Sequence, residues 1–192
     1  MQIISKVNFR MKVLESIFKY SNIKTRLLLA NSLLLSVFSY SLPIFINITR
    51  DNINKLNTLY MRCARKVIGY RALKMSTIKI LKELNWLSLP QLIVHESVKS
   101  IHKIVFNNSP NAITQYICFS LHRSELVRSI RKPLVIKPPK SEKARAAFLH
   151  RAVYIYNTLP DSIRILNVRK FAEKAKEYIF YNKSLTHIDK ID

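Results

Sequence analysis

The strongest pattern in the chain runs from Asp51 to Tyr70, where apolar and basic positions recur with the period of an α-helix. Asp51 is a residue type that begins helices, and Gly69, the single glycine of the chain, is a type that ends them. One broad face is apolar and comprises Ile53, Leu56, Leu59, Tyr60, Cys63, Ala64, Val67 and Ile68. The opposite face carries Lys55, Thr58, Arg62, Arg65 and Lys66. We predict a helix that packs one face on a core and offers the other to solvent or to a polyanion.

Two helices are predicted before this one. Met1 to Tyr20 has an amphipathic basic pattern, and Lys24 to Ile48 is apolar nearly all round. Leu27 to Ile48 contains 22 residues without a charge, which is enough to cross a bilayer, although polar residues interrupt the run and Pro43 ends or kinks it. Such a helix either spans a membrane or lies in a core. We predict the core, with these residues packed together: Leu28, Leu35, Phe38, Leu56 and Leu59.

The middle of the chain predicts two helices with recognisable starts. Ser76 is expected to cap the first. Ser88 and Gln91 have the spacing of a capping box at the start of the second, which should end near Asn107. His95 and His102 are seven residues apart on the polar face of that helix, which is not the spacing of a metal-binding pair. A solvated surface is therefore predicted for both histidines.

Between Ser120 and Ser141 basic residues alternate with prolines, which forbid a regular helix from about Ile130 onward. Its basic residues are Arg123, Arg128, Arg131, Lys132, Lys137 and Lys140. We predict an extended linker with one short strand near Leu134–Ile136. The linker is either an arm that follows phosphates or a plain solvated loop. Helices are predicted again at Ala146 to Tyr156 and at Val168 to Phe180.

Composition sets the fold class and the type of partner. The hydrophobic fraction of 48% is that of a globular protein, and a chain with one glycine is unsuited to a turn-rich β fold. We predict an all-α fold, an irregular helical bundle of about six to eight helices. Lys and Arg outnumber Asp and Glu by 33 to 11, a formal charge of +22. This excess favours nucleic acid as the partner, with an anionic membrane surface second.

The sequence motifs of common catalytic and metal sites are missing. The four aspartates lie in predicted caps, turns or tail and are not adjacent: Asp51, Asp161, Asp189 and Asp192. There is no CxxC or HExxH motif and no glycine-rich phosphate loop. We predict no catalytic residue, no metal ligand and no cofactor. Two cysteines make no disulfide framework, and the N-terminus lacks a secretory apolar run, so a nuclear or cytoplasmic protein that is not secreted is expected.

Three stretches in order resemble one family. They are DNINKLNTLYMRCARKVIGY from Asp51, LNWLSLPQLIVHESVKSIHKIVFNNSPNAITQYI from Leu84, and VYIYNTLPDSIRILNVRKFAEKAKEYIF from Val153. Their apolar patterns and spacing are similar to the region after the polymerase core in jockey-like non-LTR retrotransposon reverse transcriptases. The family often has tryptophan and asparagine before the Leu-Pro pair. Tyr156 replaces that tryptophan here, so this position departs from the pattern.

The resemblance implies a non-catalytic C-terminal fragment of such a reverse transcriptase, because the paired carboxylates that hold the polymerase metals are absent. Residues 1–72 would correspond to the thumb region, 73–119 to a helical hairpin, 120–141 to the linker, 142–181 to a C-terminal helical segment and 182–192 to a frayed tail. The implied partners are RNA or DNA, bound without sequence preference, and the missing N-terminal polymerase part. By analogy the phosphate contacts would be Lys55, Arg62, Arg65 and Lys66 with the basic residues of the linker.

Two alternatives remain from the residues alone. One is a small basic membrane-associated protein anchored by Leu27–Ile48. The other is a helical interaction module without a nucleic-acid role. Solubility of the isolated chain without detergent would distinguish the membrane alternative, and a salt-dependent RNA shift would distinguish nucleic-acid binding from an interaction module.

Overall fold

A computed structural model describes residues 2–41, 49–107, 117–119, 134–136 and 148–182. The chain divides into two compact units, the first formed by residues 1–42 and 48–92 and the second by residues 43–47 and 93–192. Counting the continuous helix of residues 23–41 once, the described residues form eight α-helices. The all-α fold class is thereby confirmed.

The first unit consists of helices joined by short connections. Its elements are α1 (Gln2–Tyr20), α2 (Ile23–Ala30), a π-helical turn (Asn31–Leu35), α3 (Ser36–Ser41), α4 (Arg50–Ile68), a 3₁₀ turn (Gly69–Lys74), α5 (Thr77–Glu83) and the start of α6 (Leu89–Asn107). The second unit contains the rest of α6, the strands β1 (Ile117–Phe119) and β2 (Leu134–Ile136), and the helices α7 (Phe148–Asn157), α8 (Asp161–Arg164) and α9 (Val168–Tyr181).

Most of the predicted helix ends are confirmed. Ser76 Oγ accepts a hydrogen bond from the Lys79 N–H at 3.4 Å, and Gln91 Oε1 accepts from the Ser88 N–H at 3.0 Å. One end needs correction, because Thr49 rather than Asp51 is the N-cap of α4. Asp51 lies in the first turn instead, where a negative charge is favourable at the positive end of the helix dipole.

The apolar face of α4 is the centre of the first unit. Seven of its eight predicted members are buried: Leu56, Leu59, Tyr60, Cys63, Ala64, Val67 and Ile68. Removing a buried leucine such as Leu56 would cost on the order of 2–5 kcal/mol, because it leaves a cavity as well as losing apolar burial. The helical period therefore predicted this packing correctly.

Three aromatic rings connect α4 to its neighbours. Tyr60 lies edge-on to Phe38 of α3, with ring centroids 5.3 Å apart, and 5.4 Å from the ring of Trp86. The Tyr60 hydroxyl donates to the Leu87 carbonyl oxygen at 2.8 Å, and Trp86 Nε1 donates to Asn31 Oδ1 at 2.9 Å. Both polar tips are thus satisfied while the rings stay buried, as buried tyrosine and tryptophan require.

The helix of residues 23–41 packs with a different phase from the one predicted. Leu28 was expected in the core but is 70% exposed, and Leu35 is only half-buried. The buried positions are Ala30, Leu34 and Phe38, spaced four apart through the π turn. A π turn holds more residues than an α turn, so the core-facing side moves along the chain relative to a regular helix.

The second unit contains the predicted strand and an unpredicted partner. β2 pairs antiparallel with β1, placing Leu134 opposite Phe119. The side chain of Asn157, at the end of α7, accepts one hydrogen bond from β2 and donates another to it. Its Oδ1 accepts from the Leu134 N–H and its Nδ2 donates to the Leu134 carbonyl oxygen, both at 2.9 Å. Asn157 therefore ties the helix end to the strand.

His102 of α6 is buried, which corrects the prediction of a solvated histidine. Its side chain has no exposed area and its ring stacks on Phe171, with centroids 3.7 Å apart. Nε2 lies 2.9 Å from the Leu166 carbonyl oxygen, and Nδ1 lies 3.0 Å from the Tyr156 hydroxyl. Because a carbonyl can only accept, Nε2 carries the proton and Nδ1 accepts from Tyr156. An imidazole with both nitrogens paired can occupy a core.

His95 and Glu96 are also buried, so the polar face of α6 is largely covered. His95 Nε2 donates to the Ala172 carbonyl oxygen at 3.0 Å, and Glu96 forms an ion pair with Lys99. Burial alone would raise the pKa of Glu96, but the neighbouring His95 and Lys99 outweigh burial and hold that pKa below its usual value.

Candidate nucleic-acid interface

The basic residues predicted on α4 form one exposed stripe. Lys55, Arg62 and Arg65 stand at positions i, i+7 and i+10, which lie on the same side of an α-helix. All three are exposed, as is Lys66 beside them. The buried apolar face lies opposite, so the stripe is free to meet a partner without disturbing the core.

The basic side chains of this stripe differ in whether a carboxylate already compensates their charge. Lys66 Nζ lies 3.1 Å from Glu15 Oε1, so part of its charge is already compensated within the first unit. Within the described part of the chain, Lys55, Arg62 and Arg65 form no ion pair. The two arginines are therefore the strongest candidates for contacting a phosphate, and their planar guanidinium groups can bind it through two hydrogen bonds.

An open groove lies at the C-terminal end of this stripe. Its volume is about 850 Å³, within the range of about 300–1,000 Å³ typical of ligand pockets. The α4 residues Thr58, Arg62, Arg65 and Lys66 contribute to its lining. The 3₁₀ turn adds Tyr70, Leu73 and Met75. The described lining residues include three cations and no carboxylate, so the groove is suited to an anion.

Tyr70 and Leu73 are functional candidates that the sequence analysis missed. Their exposed fractions are 92% and 84%. The two side chains lie together in the lining of the groove, and a contiguous exposed apolar patch can mark a binding site. The available sequence signal was an aromatic residue directly after a helix-ending glycine and before an arginine, within IGYR. That signal gives no periodicity, so it does not show which way the side chains point.

The 3₁₀ turn is held in place on several sides. Gly69 has φ of 76°, a conformation that favours glycine, and a Cβ atom there would lie 2.8 Å from Nη1 of Arg26. Ala72 is buried, and Arg71 forms an ion pair with Glu83 of α5. These constraints fix the backbone from which Tyr70 and Leu73 project.

The structure brings together the α4 candidates but does not test the linker. These linker residues lie outside the described part of the chain: Arg123, Arg128, Arg131, Lys132, Lys137 and Lys140. The candidate interface consequently rests on the first unit alone, namely on the α4 stripe and the adjoining groove.

Buried titratable groups elsewhere lack the setting of a catalytic site. Burial lowers the pKa of His102 to about 4 and raises the pKa of Tyr156 above its usual value, so both are neutral near pH 7. Burial also raises the pKa of the Cys63 thiol to about 12, which leaves it protonated and a poor nucleophile. Among the described residues, no group of three or more His, Cys, Asp or Glu side chains could hold a metal ion.

The apolar run Leu27–Ile48 continues into residues 42–48, which lie outside the described part of the chain. Within the described ranges, no helix combines the length and apolar character that a membrane span requires. Comparison with protein-family models, with curated proteins and with solved structures finds no match to this chain. The resemblance to reverse transcriptases therefore remains a hypothesis, and the surface itself has to support any proposed function.

Proposed function

We propose that this chain is a non-catalytic nucleic-acid-binding piece of a reverse transcriptase of the non-LTR retrotransposon type. Its α4 stripe would bind the phosphate backbone of RNA or DNA, and it would act together with a polymerase part that supplies the metal-binding carboxylates. Such a protein would work in the nucleus or the cytoplasm. Binding would tolerate any sequence, because backbone contacts carry no base information.

The observation that carries the proposal is the lack of ion pairs between most basic side chains of the α4 stripe and carboxylates of the described residues. A solvated basic face on a folded helix commonly contains neighbouring carboxylates that offset its charge. Arg62 and Arg65 form no ion pair within the described residues, and neither does Lys55, although Asp51 lies one helical turn before it. The first unit contains fifteen Lys and Arg residues against three Asp and Glu residues, so the surrounding field is also positive. A polyanion would gain from this arrangement by releasing its counterions.

The test is the salt dependence of binding to a labelled oligonucleotide, measured by fluorescence anisotropy. Replacing Arg62 and Arg65 by Gln removes two phosphate contacts. Each contact contributes about 0.7 to the log–log salt slope on single strands and about 0.9 on duplex. The double variant should therefore flatten the slope by about 1.4 and about 1.8, respectively, and weaken binding to all sequences alike.

The matched control is Arg169→Gln with Lys170→Gln on α9, two exposed residues whose loss changes the net charge equally. The proposal predicts a smaller effect from this control than from the α4 pair. Equal effects would show that bulk charge alone drives binding. No effect from either pair would favour the alternative of a helical interaction module. Both arginines of α4 are exposed, so the helical circular dichroism signal should be unchanged.

A further inference from the structure

We infer that the groove beside α4 holds an unpaired segment of nucleic acid, with phosphates on Arg62 and Arg65 and a base stacked on Tyr70. The inference deepens the proposed function and rests on it, because it names the form of nucleic acid that this site prefers. It predicts preference for single strands over fully paired duplex.

The first argument is the combination of charge and apolar surface. Proteins that bind single strands use a basic groove that follows the backbone, together with aromatic side chains on which bases stack. The described lining supplies both, since Arg62 and Arg65 are unpaired cations and Tyr70 is an almost fully exposed ring. A duplex needs only the cations, because its bases already stack on each other. Because Tyr70 lies beside these cations in the groove lining, its ring is placed to stack on an unpaired base.

The second argument is that the ring is presented by a constrained backbone. The positive φ of Gly69 turns the chain at the end of α4, and the buried Ala72 anchors the same turn. Stacking on a side chain whose backbone is already ordered costs less conformational entropy than stacking on one in a loose loop. The neighbouring Leu73, also highly exposed, extends the apolar surface beside the ring.

The third argument is size. A volume of about 850 Å³ is that of a pocket for a small molecule, and the groove is open rather than enclosed. A nucleotide unit can enter such a groove while the strand continues on either side. The rigid cylinder of a duplex can contact the α4 stripe but cannot insert a base without unpairing it, which costs a few kcal/mol.

The experiment compares a labelled oligothymidylate with a fully paired duplex of equal length, using wild-type chain and Tyr70→Ser. The variant should lose about 5- to 150-fold in affinity for the single strand, which equals about 1–3 kcal/mol at 1.4 kcal/mol per tenfold. Its affinity for duplex should stay within twofold of wild type, a limit of about 0.4 kcal/mol on the same scale. Tyr40→Ser is the matched control, because Tyr40 of α3 is 90% exposed and lies outside the lining of the groove.

The outcomes separate this inference from the proposed function. If Tyr70→Ser binds single strands like wild type while the Arg62 and Arg65 substitutions still flatten the salt slope, stacking is wrong and backbone binding stands. If the arginine pair has no effect either, both fail. A loss of binding to vesicles containing phosphatidylserine, with oligonucleotide affinity unchanged in Tyr70→Ser, would instead assign the groove to a membrane surface and overturn the inference.

Discussion

Acidification should destabilise the second unit because His102 is buried in its neutral form. In the unfolded chain a histidine has a pKa of about 6.5, whereas burial lowers the pKa of His102 in the folded chain to about 4. Between these two values the unfolded state binds a proton that the folded state excludes. Stability is therefore fully present above about pH 6.5 and falls progressively as the pH drops toward about 4.

The size of this destabilisation follows from the difference between the pKa values of His102 in the unfolded and folded chain. Each tenfold change in proton affinity is worth about 1.4 kcal/mol, so His102 can remove roughly 3–4 kcal/mol of unfolding free energy at most. A protonated ring would keep its hydrogen bond to the Leu166 carbonyl oxygen but would lose its acceptor for the Tyr156 hydroxyl. Glu96 acts in the same direction, because its pKa is lowered in the folded chain and its contribution is lost as the pH falls through that lowered pKa.

The assay is urea unfolding followed by circular dichroism at a series of pH values. His102→Gln retains an N–H donor and an oxygen acceptor but does not titrate, so its stability should depend less steeply on pH between about 6.5 and about 4. His150→Gln on α7 is the matched substitution, since it also replaces one histidine by glutamine but at a half-buried position. An NMR signal of His102 in the folded chain that titrates near pH 6.5 would refute the reasoning.

Four further substitutions test the phase of the helix at residues 23–41 and the hydrogen bonds of Asn157. Leu34→Ala should cost about 2–5 kcal/mol of unfolding free energy and Leu28→Ala no more than about 0.5 kcal/mol, because Leu34 is fully buried and Leu28 is exposed; equal costs in urea unfolding would contradict the π-turn phase. Asn157→Ala should cost about 1–3 kcal/mol, because it leaves the Leu134 N–H and carbonyl oxygen without their partners. Asn157→Asp should cost at least as much as Asn157→Ala at neutral pH, because a carboxylate oxygen would face the Leu134 carbonyl oxygen where the amide now donates; wild-type stability of Asn157→Asp would argue against this pair of hydrogen bonds.

The sequence predicted the buried and exposed residues most accurately in helices where apolar and polar positions recur with the helical period. The faces of α4 follow directly from the order of apolar and basic residues, and so did the exposed stripe with Arg62 and Arg65. Leu28 was misplaced because the π turn Asn31–Leu35 changes the phase of the helix. Asn31 in that turn accepts a hydrogen bond from Trp86, 55 positions away in the sequence. No local pattern contains that information.

The buried histidines and the groove show two other limits of prediction from the sequence. A polarity pattern treats imidazole as a solvent-facing group, yet His102 is satisfied by Tyr156 and Leu166, which are 54 and 64 positions away. Tyr70 was missed for the opposite reason, because an exposed aromatic residue in a 3₁₀ turn belongs to no repeating face. The sequence therefore predicted the basic part of the candidate site, whereas its exposed apolar part, Tyr70 and Leu73, became apparent only from the structure.

The two hydrogen bonds between Asn157 and Leu134 affect how the two-stranded sheet can pair with strands of other molecules. A two-stranded ladder has open edges at which further strands can add, and such edges are starting points for aggregation. Leu134 uses both of its main-chain hydrogen-bonding groups on the Asn157 amide, which imitates a neighbouring strand. That position of β2 therefore cannot recruit an extended segment from another molecule. One asparagine at a helix end thus closes part of a sheet edge and protects a strongly apolar strand from intermolecular pairing.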